Sequence, residues 1–373
     1  MRQILILFFI TISLTTLAQT TDHSHRLGRV IQFPDIPGYK TVKCDLHMHT
    51  VFSDGNVWPT IRVQEALMDG LDAISLTEHL EYQPHKDDIP HPDRNRSYNL
   101  ALAEAKDHDL IIIRGSEITR KMPPGHNNAV FVTDANKMLV KDSIEVFREA
   151  KRQGAFTFWN HPAWTSQKPD GMATLTPMHQ YLIKEKLLDG IEVVNDDTYS
   201  DEALKIALDN NLTIMGSSDI HGLVDWQFVD APAMHRPITL VFAKEKTEAG
   251  IKDALFNKRT VAFYKNLLVG RDEFLIPIIQ ESLVIKSAMY MGKTNVLEVV
   301  IDNRSNAEFT LRNKSSFTMD NTHDILTIQP GDKNTLQVKT KDRLATAKLT
   351  FEILNAVNAP ASHPTVSWTA TVK

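Results

Sequence analysis

From about Thr41 onward, short runs rich in Val, Ile, Leu and Phe alternate with stretches whose apolar residues recur every three or four positions. The runs predict strands at Thr41–His47, Ala73–Thr77, Leu110–Ile113, Asn128–Val132, Ala155–Trp159, Gly190–Val194, Thr213–Gly216 and Ile238–Phe242. The stretches between them predict helices at Pro59–Asp69, Ser97–His108, Ser143–Arg152, Thr176–Leu188, Ser200–Asp209 and Glu248–Phe256. Strands alternating with helices predict a parallel α/β architecture, and about seven such units suit a barrel. An open doubly wound sheet is the competing reading, but no GxGxxG follows the first strand. We therefore expect an α/β chain with a barrel over 41–270.

Beyond Arg271 the pattern changes. ESLVIKSAMYM, NVLEVVIDNRS, TLQVKTK, AKLTFEILNAV and TVSWTATVK read as short strands separated by Asn, Asp, Gly and Pro. They predict a small C-terminal β-sandwich-like domain over 271–373, read as an accessory domain. A glycan-binding role for it has no motif behind it.

At the other end, Arg2 precedes an apolar run from Ile4 to Leu14, and Thr16-Leu17-Ala18 supplies small residues for cleavage. This is the tripartite pattern of a signal peptide, expected over 1–18 and followed by a tail over 19–40. The run is shorter than the about 20 apolar residues that span a bilayer, so the mature chain is expected to carry no transmembrane segment. An uncleaved anchor is the alternative. Export follows, to the periplasm if the source is Gram-negative and otherwise to the exterior. A lipoprotein would need a cysteine at the cleavage site, and Cys44 is the one cysteine.

Composition narrows the class. Forty-one Lys+Arg against 46 Asp+Glu give a net charge of −5, with 42% apolar and 23% charged residues among 373. These values exclude disorder and a polytopic membrane protein, and they argue against general nucleic-acid binding. A single cysteine excludes a disulfide framework and a Cys-rich metal site; Cys44 reads as a small buried apolar side chain. The chain has 15 histidines, and their placement carries the chemistry.

Asp45-Leu46-His47-Met48-His49 ends the first strand, and residues two apart on a strand share a face, so His47 and His49 can grip one ion. Asp45 shares that face, which suits either a role behind the ligands or a strand-end hydrogen bond. Ser53-Asp54-Gly55 follows, Thr77-Glu78-His79 ends the second strand, and Gly115-Ser116-Glu117 ends the third. Gly125-His126-Asn127 leads into the next strand, Asn160-His161-Pro162 closes AFTFW, and Ser218-Asp219-Ile220-His221 closes TIMGS. Each motif lies at a strand end, where the mouth of a barrel builds its sites. Six histidines and three carboxylates are too many ligands for one ion and suit two or three.

In this order the motifs DLHMHT, SDG, TEH, GSE, GH, NHP and SDIH resemble the PHP (polymerase and histidinol phosphatase) superfamily over about Lys43–Gly270. The resemblance implies a distorted (β/α)7 barrel holding three divalent ions. Carried over by motif, His47, His49, Glu117 and Asp219 would hold the first. Asp54, His79 and His221 would hold the second; bridging Glu117 with His126 and His161 would hold the third. TEH stands where the family often shows TDH. Amidohydrolases also begin with HxH, but they usually place a carboxylated lysine where Glu117 stands here. A signal peptide and a β-rich tail look most like the exported bacterial phosphodiesterases of the family.

The expected reaction is hydrolysis of a small-molecule phosphoester, a diester by preference, by a hydroxide bridging the metals. Manganese, zinc and iron all accept these ligands. A phosphomonoesterase on the same site, or a non-catalytic exported binding protein, are the alternatives; no protein partner is indicated. Phosphate also calls for donors. Arg94 in the long loop Leu80–Arg96, Arg120 and Arg236 are the candidates, with His85 as leaving-group acid. Trp159, Trp164 and Trp226 flank ligand loops, though core packing is their simpler reading. Histidines 23, 25, 108, 179 and 235 read as structural or surface groups.

Overall fold

A computed structural model describes residues 30–228, 235–320 and 322–373. The expected signal peptide, residues 19–29 of the tail, His23 and His25 lie outside the described residues. The end of the tail is tied to the barrel: the Ile31 amide donates to the Asp69 carbonyl (2.9 Å), and Phe33 meets Phe263 edge-on at 4.8 Å. No helix among the described residues is long and apolar enough to cross a membrane.

The first 270 residues supply strands β1 (Lys40–Asp45), β2 (Ala73–Ile74), β3 (Ile111–Ile112), β4 (Gly115–Ile118), β5 (Asn127–Val130) and β6 (Phe156–Trp159). Then come β7 (Gly190–Asn195), β8 (Thr198–Tyr199), β9 (Thr213–Ser217), β10 (Ile238–Ala243), β11 (Thr260–Tyr264) and β12 (Leu267–Gly270). Helices α1 (Pro59–Met68), α2 (Arg96–Glu104), α3 (Glu145–Arg152), α4 (Pro177–Lys184), α5 (Asp201–Asp209), α6 (Val224–Gln227) and α7 (Glu248–Phe256) lie between them. One sheet runs β12-β11-β10-β1-β2-β3 and the other β4-β5-β6-β7-β8, with β9 also on β7. Parallel bridges His79–Glu117 and Met48–Ile220 join the two sheets into a distorted barrel.

The sheets are mixed, not parallel as the alternation predicts. β1 pairs antiparallel with β10, and β4 with β5 and β5 with β6 are antiparallel too. A parallel pair needs a crossover of a dozen or more residues, and only residues 119–126 separate β4 from β5, so the chain turns straight back. β11 and β12, which the pattern did not predict, form a hairpin whose two linking residues, Lys265 and Asn266, have φ of 49° and 62°. A two-residue turn with both φ positive matches the twist of the strands it joins.

From Asp272 to Ser282 the chain forms helix α8, where the sequence predicts the start of the β-rich domain. Its buried residues Phe274, Leu275, Ile278, Ile279 and Ser282 follow helical spacing, and Asp272 and Glu273 sit favourably at its N-terminal end. Two four-stranded antiparallel sheets then stack as a sandwich. Val296–Asn303 alternates half-buried and buried positions along its length, the period-2 signature of a strand with one face in the core. The sandwich is fused to the barrel: Ala356–Val357 pairs in parallel with β12. Asn355 Nδ2 donates to the carbonyls of Asn266 (2.6 Å) and Glu308 (2.8 Å).

Candidate metal centre

The structure brings all nine predicted ligands to one mouth of the barrel. His47 and His49 follow β1, His79 follows β2, His161 follows β6, and Asp219 and His221 follow β9. His126 precedes β5, but β5 runs antiparallel to its neighbours, so its beginning opens at the same mouth. Glu117 lies inside its own strand, β4, rather than at the end of the third. Asp54 is carried by the turn after His49, where the Gly55 amide donates to the Thr50 carbonyl (2.9 Å). Two of the nine have unusual backbone: His161 and Asp219 have φ of 29° and 51°. Side-chain residues rarely hold such values, and they concentrate at functional sites.

Three groups of ligand atoms form, each within 4.8 Å. In the first, Asp219 Oδ1 lies 3.0 Å from His47 Nε2 and 3.1 Å from His49 Nε2. In the second, Asp54 faces His221 Nε2 at 3.1 Å and His79 Nε2 at 3.3 Å. In the third, Glu117 Oε1 lies 3.1 Å from His126 Nδ1 and the same carboxylate meets His79; His161 stands outside the three groups, its Nε2 3.7 Å from Glu117 Oε1. Glu117 also faces His47 and His49 at 3.7 Å and crowds His79, so it stands where the groups meet.

A second layer of polar groups fixes the imidazoles. His47 Nδ1 donates to Glu192 Oε1 at 2.8 Å, which leaves Nε2 for a cation. Glu192 also accepts from Ser217 Oγ, from the His161 amide (2.7 Å) and from Asn195 Nδ2 (2.8 Å). His49 Nδ1 lies 3.1 Å from Ser53 Oγ, and Ser53 donates in turn to Glu78 at 2.5 Å. Thus the acid of TEH orients the centre from behind. Asn160 Nδ2 donates to Glu117 Oε1 at 2.8 Å, and His79 Nδ1 meets Thr119 Oγ1 at 2.7 Å. Sequence reasoning missed Glu192. Its signal was available: one carboxylate inside the otherwise apolar run GIEVV.

The donors fit divalent ions. Two ligands bound to one ion at about 2.0–2.2 Å stand roughly 3.0–3.5 Å apart, which the closest nitrogen–oxygen separations match. Asp54 Oδ1 and Glu117 Oε2 are buried without a hydrogen-bond partner, as anionic oxygens awaiting a cation would be. Without a cation, protons take its place. Burial opposes charge on His79, but Glu117 and Asp54 outweigh it and push the imidazole up to about 11. Burial, then His221 and His79, hold His49 down to about 3. Burial opposes ionisation of Glu117 and Asp219 as well, yet the facing imidazoles hold both well below the usual carboxylate range.

The centre opens into a cleft of about 880 Å³ walled by Tyr82, Trp164, Asn195, Asp196, Tyr199 and Glu202, among others. The expected phosphate donors do not reach it. Arg236 is fully buried, with Nε 2.7 Å from Asp69 and Nη1 3.3 Å from Asp45. Asp45 in turn accepts from Ser218 Oγ at 2.6 Å, a strand-end hydrogen bond to the residue beside Asp219. Arg120 is held by Glu81 and by the Val140 carbonyl (2.7 Å). Arg94 Nε donates to the Leu80 carbonyl at 3.0 Å and braces its own loop. His85 turns that loop through its carbonyl, which accepts from Ile89 at 2.7 Å, and it does not line the cleft. Each of the three arginines is satisfied by carboxylates or carbonyls that do not line the cleft. Of the tryptophans, Trp159 is core and stacks on His179 at 3.8 Å, Trp226 is 78% exposed away from the cleft, and Trp164 lines it.

The chain is similar to several known proteins. A family model described as an Ig-like domain matches residues 283–369. An uncharacterized protein of Methanocaldococcus jannaschii is 34% identical over 85 residues, 22% of this chain and 36% of that protein. The chain therefore matches little more than a third of that curated relative's length. PsfC from Pseudomonas syringae is 17% identical, with 60% of this chain and 92% of that one covered and a TM-score of 0.43. A crystal structure from Bacteroides vulgatus, of a two-domain protein containing a predicted PHP-like metal-dependent phosphoesterase, is 42% identical with a TM-score of 0.83. That match covers 92% of this chain and 98% of the other, so the chain belongs to the PHP-like family of metal-dependent phosphoesterases, in its two-domain form.

Proposed function

We propose that the protein is an exported phosphodiesterase whose centre holds three divalent ions, manganese, zinc or iron. His47, His49, Glu117 and Asp219 would hold the first, Asp54, His79 and His221 the second, and Glu117, His126 and His161 the third. Bound there, divalent cations supply hydroxide near neutral pH and countercharge for phosphoryl oxygens. The chain's own groups set the stage. Glu192 and Ser53 fix the imidazole faces, Asn160 orients Glu117, and the cleft seats the ester above them.

One observation carries the preference for diesters: no Lys or Arg lines the cleft among the described residues, while Asp196 and Glu202 do. A phosphomonoester brings about two negative charges at neutral pH, as phosphate groups do. A diester brings one, and tolerates an acidic wall better. Export rests on the signal-peptide pattern of residues 1–18.

The test uses residues 19–373. Bound metals are counted by mass spectrometry, and bis(p-nitrophenyl) phosphate is compared with p-nitrophenyl phosphate. Near three metals per chain and faster diester turnover are expected. Faster monoester turnover would reject the diester reading. A chain that binds no manganese, zinc or iron after reconstitution would reject the metal centre itself.

A further inference from the structure

We propose that the cleft beside the metal centre receives a cationic group, so that the substrate is a phosphodiester with an alkylammonium on one alcohol. The inference rests on the phosphodiesterase reading and names its substrate class.

The two walls of the cleft differ in kind but suit the same guest. On one side Trp164 stands 5.0 Å from the ring of His161 and 5.6 Å from that of His126, and Tyr82 stands 5.8 Å from His79. Both are large aromatic surfaces left open, 44% and 51% exposed, directly against the proposed ligands. Core packing does not account for them. Aromatic faces carry partial negative charge and attract ammonium groups. On the other side, the turn after β7 presents Asp196 and the first turn of α5 presents Glu202. Gln227 Nε2 donates to Asp196 Oδ1 at 2.7 Å, and Ser200 Oγ donates to Glu202 at 3.0 Å, so each carboxylate is oriented by a neutral partner that leaves its charge in place.

These charges are not used elsewhere in the site. Neither Asp196 nor Glu202 belongs to any of the three groups of metal-competent side chains. The nearby cations are spent: Lys168 pairs with Asp170 at 2.6 Å, Arg120 with Glu81, and Arg94 with backbone carbonyls. Burial pushes the Asp196 carboxyl up, the Gln227 hydrogen bond opposes this, and Asp219 and His221 act on it through space in opposite senses, so the acidic wall lies within electrostatic reach of the reacting centre. An ester with a neutral or anionic alcohol gains nothing from such a wall. An alkylammonium ester gains Coulomb attraction on one side and cation–π contact on the other, while its single phosphodiester charge faces the metals.

The experiment compares three esters that share the 4-nitrophenolate leaving group, on the metal-loaded chain. They are 4-nitrophenyl phosphorylcholine, its uncharged carbon isostere 3,3-dimethylbutyl 4-nitrophenyl phosphate, and bis(p-nitrophenyl) phosphate. A kcat/KM ratio of about ten or more is expected for choline ester over isostere, the scale of one well-placed cation–π and charge contact. Asp196→Asn combined with Glu202→Gln should lower the ratio several-fold, because the choline ester loses its attraction while the anionic isostere is relieved of repulsion and is hydrolysed no more slowly. Trp164→Leu should lower the ratio, and Trp164→Phe should restore part of it. A ratio near one in the wild type, or one that survives loss of both carboxylates, overturns the inference and leaves the phosphodiesterase reading intact. A chain that hydrolyses none of the three overturns that reading, and this inference with it.

Discussion

Glu192 Oε1 accepts the Nδ1 proton of His47 at 2.8 Å, while the other oxygen of the same carboxylate accepts from the His161 amide at 2.7 Å. One fully buried side chain thus aims an imidazole of the first ligand group and holds the left-handed backbone of a residue proposed for the third. A carboxylate behind a metal-bound histidine fixes its tautomer and raises its basicity.

Glu192→Gln should therefore weaken metal binding by about 10–100-fold, the usual cost of losing such a partner. The loss should fall on the ions held by His47 and His161. The ion proposed for Asp54, His79 and His221 should stay bound. Metal counting by mass spectrometry after graded chelation reads this directly. Uniform loss from all positions would refute the division.

Gly55 sets the place of Asp54. A Cβ there would stand 2.7 Å from the His49 carbonyl carbon and 2.7 Å from the Thr50 amide nitrogen, too close for any real contact. Gly55→Ala must push the turn outward, at a cost of about 1–3 kcal/mol by analogy with overpacked sites. It should also cut occupancy of the ion facing Asp54. Urea denaturation and metal counting on the same variant check both halves.

Arg236 separates two explanations of one residue. As the countercharge of buried Asp45 and Asp69, its replacement in Arg236→Met should cost about 3–5 kcal/mol. A phosphate-binding arginine would instead raise KM and leave stability largely unchanged. Unfolding in urea, set beside KM of the folded fraction, decides between them.

Metal loading should depend on pH in a definite direction. His79 is pushed up to about 11 in the metal-free site, and His47 is raised as well, so both carry protons that an incoming cation must displace. Affinity should rise with pH, and binding should release protons. The metal-free fold behaves in the opposite sense. A histidine with a raised folded pKa contributes stability that is complete below its unfolded pKa of about 6.5 and fades as pH climbs toward the folded value. Calorimetry in buffers of different ionisation enthalpy counts the protons released. Melting temperatures of the metal-free chain should fall between pH 6 and pH 9.

Read from the sequence alone, the side chains gathered at this mouth were legible because strand-end motifs are local. A histidine two residues from another shares its face, and an Asp beside a Gly occupies a turn, whatever the rest of the chain does. The same holds for the change from mixed elements to period-2 strands near the end of the barrel, though α8 was hidden by an apolar content that suits either state. Tertiary structure decided what local spacing cannot carry. Arg236 pairs with Asp45 across 191 residues, and Glu192 meets His47 across 145. Buried charge must find a countercharge or a hydrogen-bond partner, and the fold chooses that partner. That requirement drew Arg236 into the core and Arg120 to Glu81, leaving an acidic and aromatic cleft where sequence reasoning had placed cations. The direction of β5 was likewise set by the short link after β4, and that reversal brings His126 to the mouth that the other ligands share.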